Sequence, residues 1–325
     1  MSPAEPAGGI APVPDLSVTI AGVRFKNPVI AASGTFGYGR EYRGIIDVSR
    51  LGGICTKGLT LHPRRGNDGR RLHETPSGLL NSIGLENPGI PGFIEGELPA
   101  LRDLGPVVIA NLSGSTIDEY AEGAALLAAS SVDMLELNIS CPNVRAGGMA
   151  FGLDPETAAA VVRRVRRAAE NKPLMVKLSP NAPDLIGVAC SCVRAGADAL
   201  SLVNTFKAMA IDIRARKPVF ENVSAGLSGP AVRPIALRMV WELWEAVEVP
   251  LVGMGGIAES GDALEFLLAG AEAVQVGSAT FAHPPAMIEI IEGIERYMRE
   301  YGFALPGEIA VRKRAEKGVL QYPER

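Results

Sequence analysis

The sequence lacks an excess of basic residues. Among its 325 residues, Lys and Arg total 32 against 36 Asp and Glu, so the formal net charge at pH 7 is −4. Proteins that bind the phosphate backbone of nucleic acids usually carry a positive balance, because Lys and Arg must neutralise the phosphates. The composition therefore argues against a nucleic-acid partner.

Long apolar runs are also absent. A membrane-spanning helix needs about 20 consecutive apolar residues, whereas the apolar stretches here have the lengths of strands or short helices. Residues 1–14 are rich in Pro, Ala and Gly and show no basic segment followed by an apolar core. We expect a soluble cytoplasmic protein without a membrane partner, with a flexible leader over residues 1–14 and a single domain over residues 15–325.

Cysteine is scarce and its spacing is uninformative for metals. The four cysteines show neither the repeated CxxC pattern of zinc sites nor the clustered run of iron–sulfur sites, so we predict no metal in this chain. Cys55 lies inside an apolar run, and Cys190 and Cys192 lie in a predicted helix, where small buried thiols are common. Only Cys141 stands at the end of a predicted element.

The segment around Cys141 carries the clearest chemical signal. An apolar run over residues 134–137 is followed by Asn138-Ile-Ser-Cys141-Pro-Asn143. A thiol at this place is able to act as a base or a nucleophile, and the flanking carboxamides are able to hold a planar polar ligand against it. The alternative is a strand end whose Asn and Pro residues simply turn the chain. The hexapeptide alone leaves both interpretations open.

Eight short β-rich runs are bounded by Gly, Pro or Asp. They are nearly continuously apolar rather than alternating, as expected of parallel strands covered on both faces. Helical patterns lie between most of them, and the pattern over residues 155–170 has Asp154 as a plausible N-cap and Pro155 at its first position. The β-rich runs are 28–33, 52–57, 107–111, 134–140, 174–178, 199–204, 250–255 and 273–277. The helical patterns are 117–129, 155–170, 183–195, 232–247, 260–269 and 284–301.

Eight β/α units predict a closed (β/α)8 TIM barrel. A doubly wound open sheet is the alternative, but no GxGxxG follows an early strand. Residues 16–25 alternate like a small hairpin around Ala21-Gly22, which we expect to cap the barrel floor. Residues 60–100 form a Gly/Pro-rich connection that is too long for a loop without a function in a compact domain, so we assign it to the active face.

Polar residues collect at the predicted strand ends. In a barrel of this kind the chemistry belongs at the C-terminal ends of the strands. Each polar residue is explicable singly as a strand terminator, but the whole set indicates one cavity. In chain order the set is Ser33, Thr56, Lys57, Asn111, Asn138, Cys141, Lys177, Asn204, Thr205, Gly255, Gly256, Gly277 and Ser278.

The last two strand ends predict a phosphate site. Gly255-Gly256 and Gly277-Ser278 follow the seventh and eighth runs, where such barrels commonly bind a phosphate on backbone N–H groups. A phosphate there, with amides and lysines near the barrel axis, suits flavin mononucleotide (FMN). Lys177 would stabilise negative charge near N1 and the C2 oxygen of the reduced ring.

With these segments in view, the chain resembles the class 1 dihydroorotate dehydrogenases from Leu16 onward. Five segments fall in the family's order: residues 27–28, 32–37, 56–58, 81–89 and 138–143. Residues 33–39 look like class 1B, whose catalytic chain works with a second, electron-transferring subunit. Class 2 enzymes use serine as the base and carry an N-terminal membrane helix, and we expect neither feature here.

The resemblance implies roles for individual residues. Cys141 would be the catalytic base, removing a proton from C5 of dihydroorotate while a hydride leaves C6 for flavin N5, which gives orotate. Residues 142–152 would form a mobile lid. The implied FMN contacts are Ser33, Thr56, Lys57, Asn111, Asn138, Lys177, Val203, Gly229, Gly255, Gly256, Gly277 and Ser278. The implied substrate contacts are Lys57, Asn81, Ser82, Ile83, Gly84, Leu85, Asn138, Asn143, Asn204 and Thr205.

The resemblance also implies partners. The electron-transfer subunit would carry FAD and a 2Fe-2S cluster and pass electrons to NAD, and two catalytic chains would pair within a heterotetramer. The alternatives are a self-sufficient class 1A-like enzyme that uses fumarate, a flavin barrel that reduces uridine in transfer RNA, and a non-catalytic flavin- or phosphate-binding barrel. The acidic balance disfavours the second, and the third leaves Cys141 and the asparagines without a role.

Overall fold

The structure is a computed structural model that describes residues 13–140 and 151–311. It begins with a hairpin in which β1 (Val18–Ile20) pairs antiparallel with β2 (Val23–Phe25). Ala21 and Gly22 make the turn with φ of 50° and 81°. Ile20 and Phe25 are fully buried against the N-terminal parts of the barrel strands. The predicted cap on the barrel floor is therefore confirmed.

Eight parallel strands form the closed barrel predicted from the sequence. Their residues are almost all buried, because the barrel interior covers one face and the helices cover the other. The remaining strands in chain order are β3 (Val29–Ala31), β4 (Gly53–Cys55), β5 (Leu72–Thr75), β6 (Gly78–Asn81), β7 (Val107–Leu112), β8 (Met134–Asn138), β9 (Leu174–Lys177), β10 (Ala199–Leu202), β11 (Phe206–Ala208), β12 (Ile211–Asp212), β13 (Lys217–Pro218), β14 (Ala225–Ser228), β15 (Leu251–Met254) and β16 (Ala273–Val276). The barrel order is β3, β4, β7, β8, β9, β10, β15 and β16, and β16 pairs with β3.

The predicted helices are present between the barrel strands. The α-helices are α1 (Gly89–Gly92), α2 (Leu98–Arg102), α3 (Ile117–Ala128), α4 (Pro155–Ala169), α5 (Leu185–Arg194), α6 (Arg233–Ala246), α7 (Ser260–Leu268), α8 (Ala279–Ala282) and α9 (Ala286–Tyr301), and a π-helical turn (Phe93–Glu97) joins α1 to α2. The side chain of Asp154 accepts the Thr157 N–H at 2.8 Å, so it caps α4 as predicted. Within the described ranges, no helix is both long and apolar enough to cross a bilayer.

A second, antiparallel sheet covers the C-terminal end of the barrel. Its order is β11-β14-β6-β5, so it combines the connection after β4 with the connection after β10. Residues of β6 and its following loop face the central cavity. The assignment of residues 60–100 to the active face is therefore confirmed for the part that supplies lining residues, between Leu72 and Glu86, whereas Ile90, Phe93 and Leu98 pack in the hydrophobic core. The closed barrel excludes the open-sheet alternative.

Candidate active site

A cavity of about 300 Å³ opens at the C-terminal ends of the barrel strands. This volume falls at the lower end of the range for small-molecule sites. Residues at the ends of seven barrel strands line it, together with the antiparallel sheet. The structure brings together there the predicted residues Ser33, Lys57, Asn81, Ile83, Gly84, Leu85, Asn138, Lys177, Val203, Asn204, Thr205, Gly255, Gly256, Gly277 and Ser278.

Four predicted residues lie behind the cavity wall. Thr56 and Asn111 are fully buried, and the Thr56 hydroxyl accepts the Asn111 N–H at 3.1 Å. Ser82 is buried and accepts hydrogen bonds from the Asn67 amide at 3.1–3.3 Å, so it fixes the loop that presents residues 83–85. The carbonyl of Gly229 packs against the loop after β15 rather than the cavity. Cys141, Asn143 and residues 142–150 of the predicted lid lie outside the described residues.

The chain immediately before Cys141 is firmly held. The Asn138 side-chain oxygen accepts the N–H and the hydroxyl of Ser140 at 3.2 and 3.0 Å. The Asn204 amide donates to the Ser140 hydroxyl at 2.9 Å, and the Tyr120 hydroxyl donates to the Asn138 carbonyl at 2.7 Å. Ser140 is fully buried. The chain is therefore fixed up to Ser140, two residues after Asn138, which lines the cavity.

The antiparallel sheet places Asn81 and Thr205 over the cavity. The Asn81 amide donates to the Gly226 carbonyl on β14 at 3.2 Å. Gly226 allows this approach, since a Cβ there would lie 2.1 Å from the Thr205 hydroxyl oxygen. Two segments that are more than a hundred residues apart thus present polar groups to one space, as the resemblance implied.

Glu136 is a residue of this site that the sequence did not reveal, as is Gln275, which lines the cavity. Glu136 lies within β8, in the run treated as apolar from the sequence, and its side chain is fully buried on the barrel axis. Five side chains surround its carboxylate: Cys55 at 3.1 Å, Asn111 at 2.5 Å, Lys177 at 3.5 Å, Ser201 at 2.8 Å and Gln275 at 2.6 Å. The signal in the sequence that could have indicated a functional role is a charged residue in the middle of an otherwise apolar parallel strand.

The surroundings keep Glu136 ionised. Burial opposes ionisation, but the Lys177 ammonium and the surrounding donors outweigh it, and the pKa of the carboxyl lies below its ordinary value. Burial and the nearby Glu136 charge raise the pKa of the Cys55 thiol well above its ordinary value. Cys55 therefore stays protonated and donates to Glu136, which separates it chemically from a reactive cysteine.

The loops after β15 and β16 form a cradle suited to a phosphate. Gly255 and Gly256 have φ of 126° and 77°, and the buried Asp262 carboxylate fixes the following turn by accepting the N–H groups of Ala258 and Glu259 at 2.8 and 3.1 Å. Within the part of the chain that the structure describes, the N–H groups of Gly256 and of residues 277–278 have no protein partner. Free N–H groups of this kind bind anions.

The remaining lining also fits FMN. The Oε1 atom of Gln275 is buried at the cavity floor and has no hydrogen-bond partner among residues 13–140 and 151–311. A buried acceptor of this kind calls for a donor from the ligand, since an unsatisfied one costs about 1–3 kcal/mol. FMN has an imide N–H of the required type on its ring, a ring face that suits the apolar Val203 and Met254, and a phosphate at the end of its side chain.

Two glycine substitutions should separate folding from cofactor binding. In Gly256→Ala, a Cβ at φ 77° would lie 2.7 Å from the Gly229 oxygen, so we expect the FMN-free protein to lose about 1–3 kcal/mol of stability. In Gly277→Ala the nearest atom is 3.6 Å away, so stability should hold while the methyl group weakens FMN binding over the cradle. Denaturant unfolding and FMN titration measure the two effects. Unchanged FMN affinity in Gly277→Ala would contradict the cradle assignment.

The fold and the site together define a class of protein: a (β/α)8 barrel whose lysine- and amide-lined cavity ends in a backbone cradle for a phosphate. The sequence profile of the dihydroorotate dehydrogenase family matches residues 15–298. The chain belongs to this family, which confirms the resemblance noted from its motifs.

Similar curated proteins carry one common name. A protein of Petrotoga mobilis called dihydroorotate dehydrogenase B (NAD(+)), catalytic subunit, is 58% identical over 295 residues, which cover 91% of this chain and 98% of the relative. Proteins of the same name from Pelobacter propionicus and Thermoanaerobacter pseudethanolicus are 54% and 53% identical, covering 90% and 87% of this chain and 96% and 94% of those relatives.

Proposed function

We propose that this chain is the FMN-carrying catalytic subunit of a class 1B dihydroorotate dehydrogenase. It oxidises dihydroorotate to orotate in the cytoplasm, in de novo pyrimidine biosynthesis, and residues 15–325 form its single domain. The observation that carries this proposal is the convergence of Lys57, Asn81, Asn138 and Asn204 on a cavity that ends in the glycine cradle. The name shared by relatives that are more than half identical supports it.

The chain's own residues supply binding and proton transfer. The Lys57 ammonium binds the substrate carboxylate, and the asparagine amides bind the ring N–H and C=O groups without adding a competing negative charge. Cys141, which follows the fixed Ser140, removes the C5 proton as a thiolate. FMN, when bound, accepts the hydride from C6.

The predicted FMN contacts that line the cavity keep their roles in this proposal, whereas Thr56, Asn111 and Gly229 act indirectly. Residues 255–256 and 277–278 would bind the phosphate, Lys177 and Gln275 would contact the ring from the cavity floor, and Val203 would pack against it, since all of them line the cavity. Thr56 and Asn111 act from behind the wall by holding the strand ends in place. Gly229 supports the loop after β15.

Electrons leave through a partner. We assign to that partner FAD and a 2Fe-2S cluster, because this chain shows neither a dinucleotide-binding motif nor a cysteine cluster able to carry electrons to NAD. Two catalytic chains and two partners make the proposed heterotetramer. The relatives' name, which specifies NAD(+) and a catalytic subunit, supports this arrangement over direct use of fumarate.

Lys57→Ala tests the substrate site. We expect orotate to bind about 10- to 100-fold more weakly, because a charge-assisted hydrogen bond contributes about 1.5–3 kcal/mol. Lys207→Ala is the matched control, since Lys207 is exposed on β11 and does not line the cavity. Orotate titrated against the flavin spectrum gives both affinities. Equal orotate affinity in Lys57→Ala and the wild type would contradict the assigned role.

A further inference from the structure

A layer of polar side chains fills the barrel beneath the cavity floor. It centres on Glu136, and each of its members comes from a different barrel strand. All of them are buried, in a region where barrels are ordinarily packed with branched apolar side chains. The members are Cys55, Asn111, Glu136, Lys177, Ser201 and Gln275.

Glu136 is too well satisfied to react with a ligand. Its Oε2 atom accepts from Cys55 and Asn111 and faces Lys177, while its Oε1 atom accepts from Ser201 and Gln275. It does not line the cavity. A carboxylate in this position acts through its neighbours.

Lys177 is the neighbour that reaches the cavity. Its side chain is 6% exposed, and its Nζ atom lies 3.5 Å from Glu136 Oε2. Within residues 13–140 and 151–311, Glu136 is its only ion-pair partner, and Lys177 itself lines the cavity whereas Glu136 does not. The pair therefore places a positive end toward the ligand and a negative end beneath it.

We propose that Glu136 is a positioning residue: it retains the Lys177 ammonium at the cavity floor and thereby sets the reduction potential of the bound flavin without contacting it. This inference rests on the proposed function, since it requires FMN in the cavity. An ammonium beneath the ring stabilises the negative charge that the ring acquires on reduction. Removing the counterion would leave an uncompensated charge in a buried position, which is strongly unfavourable, so the ammonium would no longer be retained at the cavity floor.

This account predicts a specific pattern of potentials. Lys177→Met removes the ammonium outright, so the flavin potential should fall. Glu136→Gln keeps the shape and the hydrogen-bonding capacity of the side chain but removes the counterion, so the Lys177 ammonium is no longer held at the cavity floor and the potential should fall in the same direction. In the double variant, Glu136→Gln should add no further shift, because its effect passes through Lys177.

The experiment is an anaerobic redox titration of the FMN-loaded chain against reference dyes. It compares the wild type, the two single variants and the double variant. Ser201→Ala is the packing control, since it removes one donor to Glu136 but leaves the charge pair intact; its potential should stay close to that of the wild type. If Glu136→Gln does not fold, Glu136→Asp withdraws the carboxylate from Lys177 and should lower the potential by a smaller amount.

The outcomes are distinct. A potential that rises or stays unchanged in Glu136→Gln, or equal shifts on the wild-type and Lys177→Met backgrounds, would overturn the role of Glu136 while leaving the proposed function intact. If Glu136→Asp has to be used in place of Glu136→Gln, a potential that rises or stays unchanged, or equal shifts on the two backgrounds, would overturn the role of Glu136 in the same way. A wild-type chain that binds no FMN would overturn the proposed function and this inference together.

Discussion

Replacing Cys141 by Ala should slow flavin reduction by dihydroorotate about 10²- to 10⁴-fold, because general acid–base groups contribute about that much to rate. Flavin content and orotate affinity should stay near wild type, since Lys57, Asn81 and Asn204 remain in place around the cavity. Anaerobic stopped-flow measurement of flavin bleaching gives the rate, and orotate titration gives the affinity.

Cys141→Ser is the graded control for this prediction. A hydroxyl ionises far less readily than a thiol, so the serine variant should also react more slowly than wild type. Cys55→Ala is a second control for the rate of flavin reduction. Cys55 is buried and its thiol stays protonated, so its loss should not remove the base. If Cys141→Ala reduced its flavin at the wild-type rate, the base would have to be another group.

The second large effect concerns the final electron acceptor. The isolated chain should oxidise dihydroorotate with artificial dyes yet form almost no NADH, and co-expression with an electron-transfer subunit should restore NADH formation. The physical reason is that substrate occupies one face of the flavin, so electrons need a separate exit. The measurement is NADH absorbance with and without the partner at equal flavin concentration.

Two results would contradict the two-subunit account. The first is strong NAD reduction by the chain alone. The second is efficient turnover with fumarate, which would favour a self-sufficient enzyme. Slow turnover with both acceptors, together with rapid dye reduction, is the pattern that a missing partner predicts.

Much of the barrel could be predicted from the sequence, because the patterns that mark its strands and helices lie within short segments. Buried parallel strands read as short apolar runs, and Asp154-Pro155 marks a helix start. Seven of the eight barrel strands end one or two residues before their predicted ends, as in β10, which stops at Leu202 rather than at Asn204, while β7 ends one residue later than predicted. The chain leaves the barrel there to present its polar residues to the cavity.

The rest of the site depends on tertiary structure. The pairing of Asn81 with Gly226 joins strands about 145 residues apart, and neither segment alone indicates its partner. The sequence places Glu136 within an apolar run. Its role depends on partners from five other strands, which only the folded barrel brings around its carboxylate. Likewise, Thr56 and Asn111 occupy strand ends as predicted but do not line the cavity, and Asn111 instead donates to Glu136 beneath the cavity floor. Only the packed barrel decides which strand-end side chains reach the cavity.

The central claim is that this cavity holds a flavin that dihydroorotate reduces. Its most direct measurement is the visible spectrum of the purified chain under anaerobic conditions, before and after addition of dihydroorotate. The account predicts oxidised-flavin absorbance, with about one FMN per chain, that bleaches on addition of dihydroorotate, with orotate formed in equal amount. A flavin-loaded protein whose spectrum is unchanged by dihydroorotate, or a chain that purifies without flavin and takes none up, would contradict it.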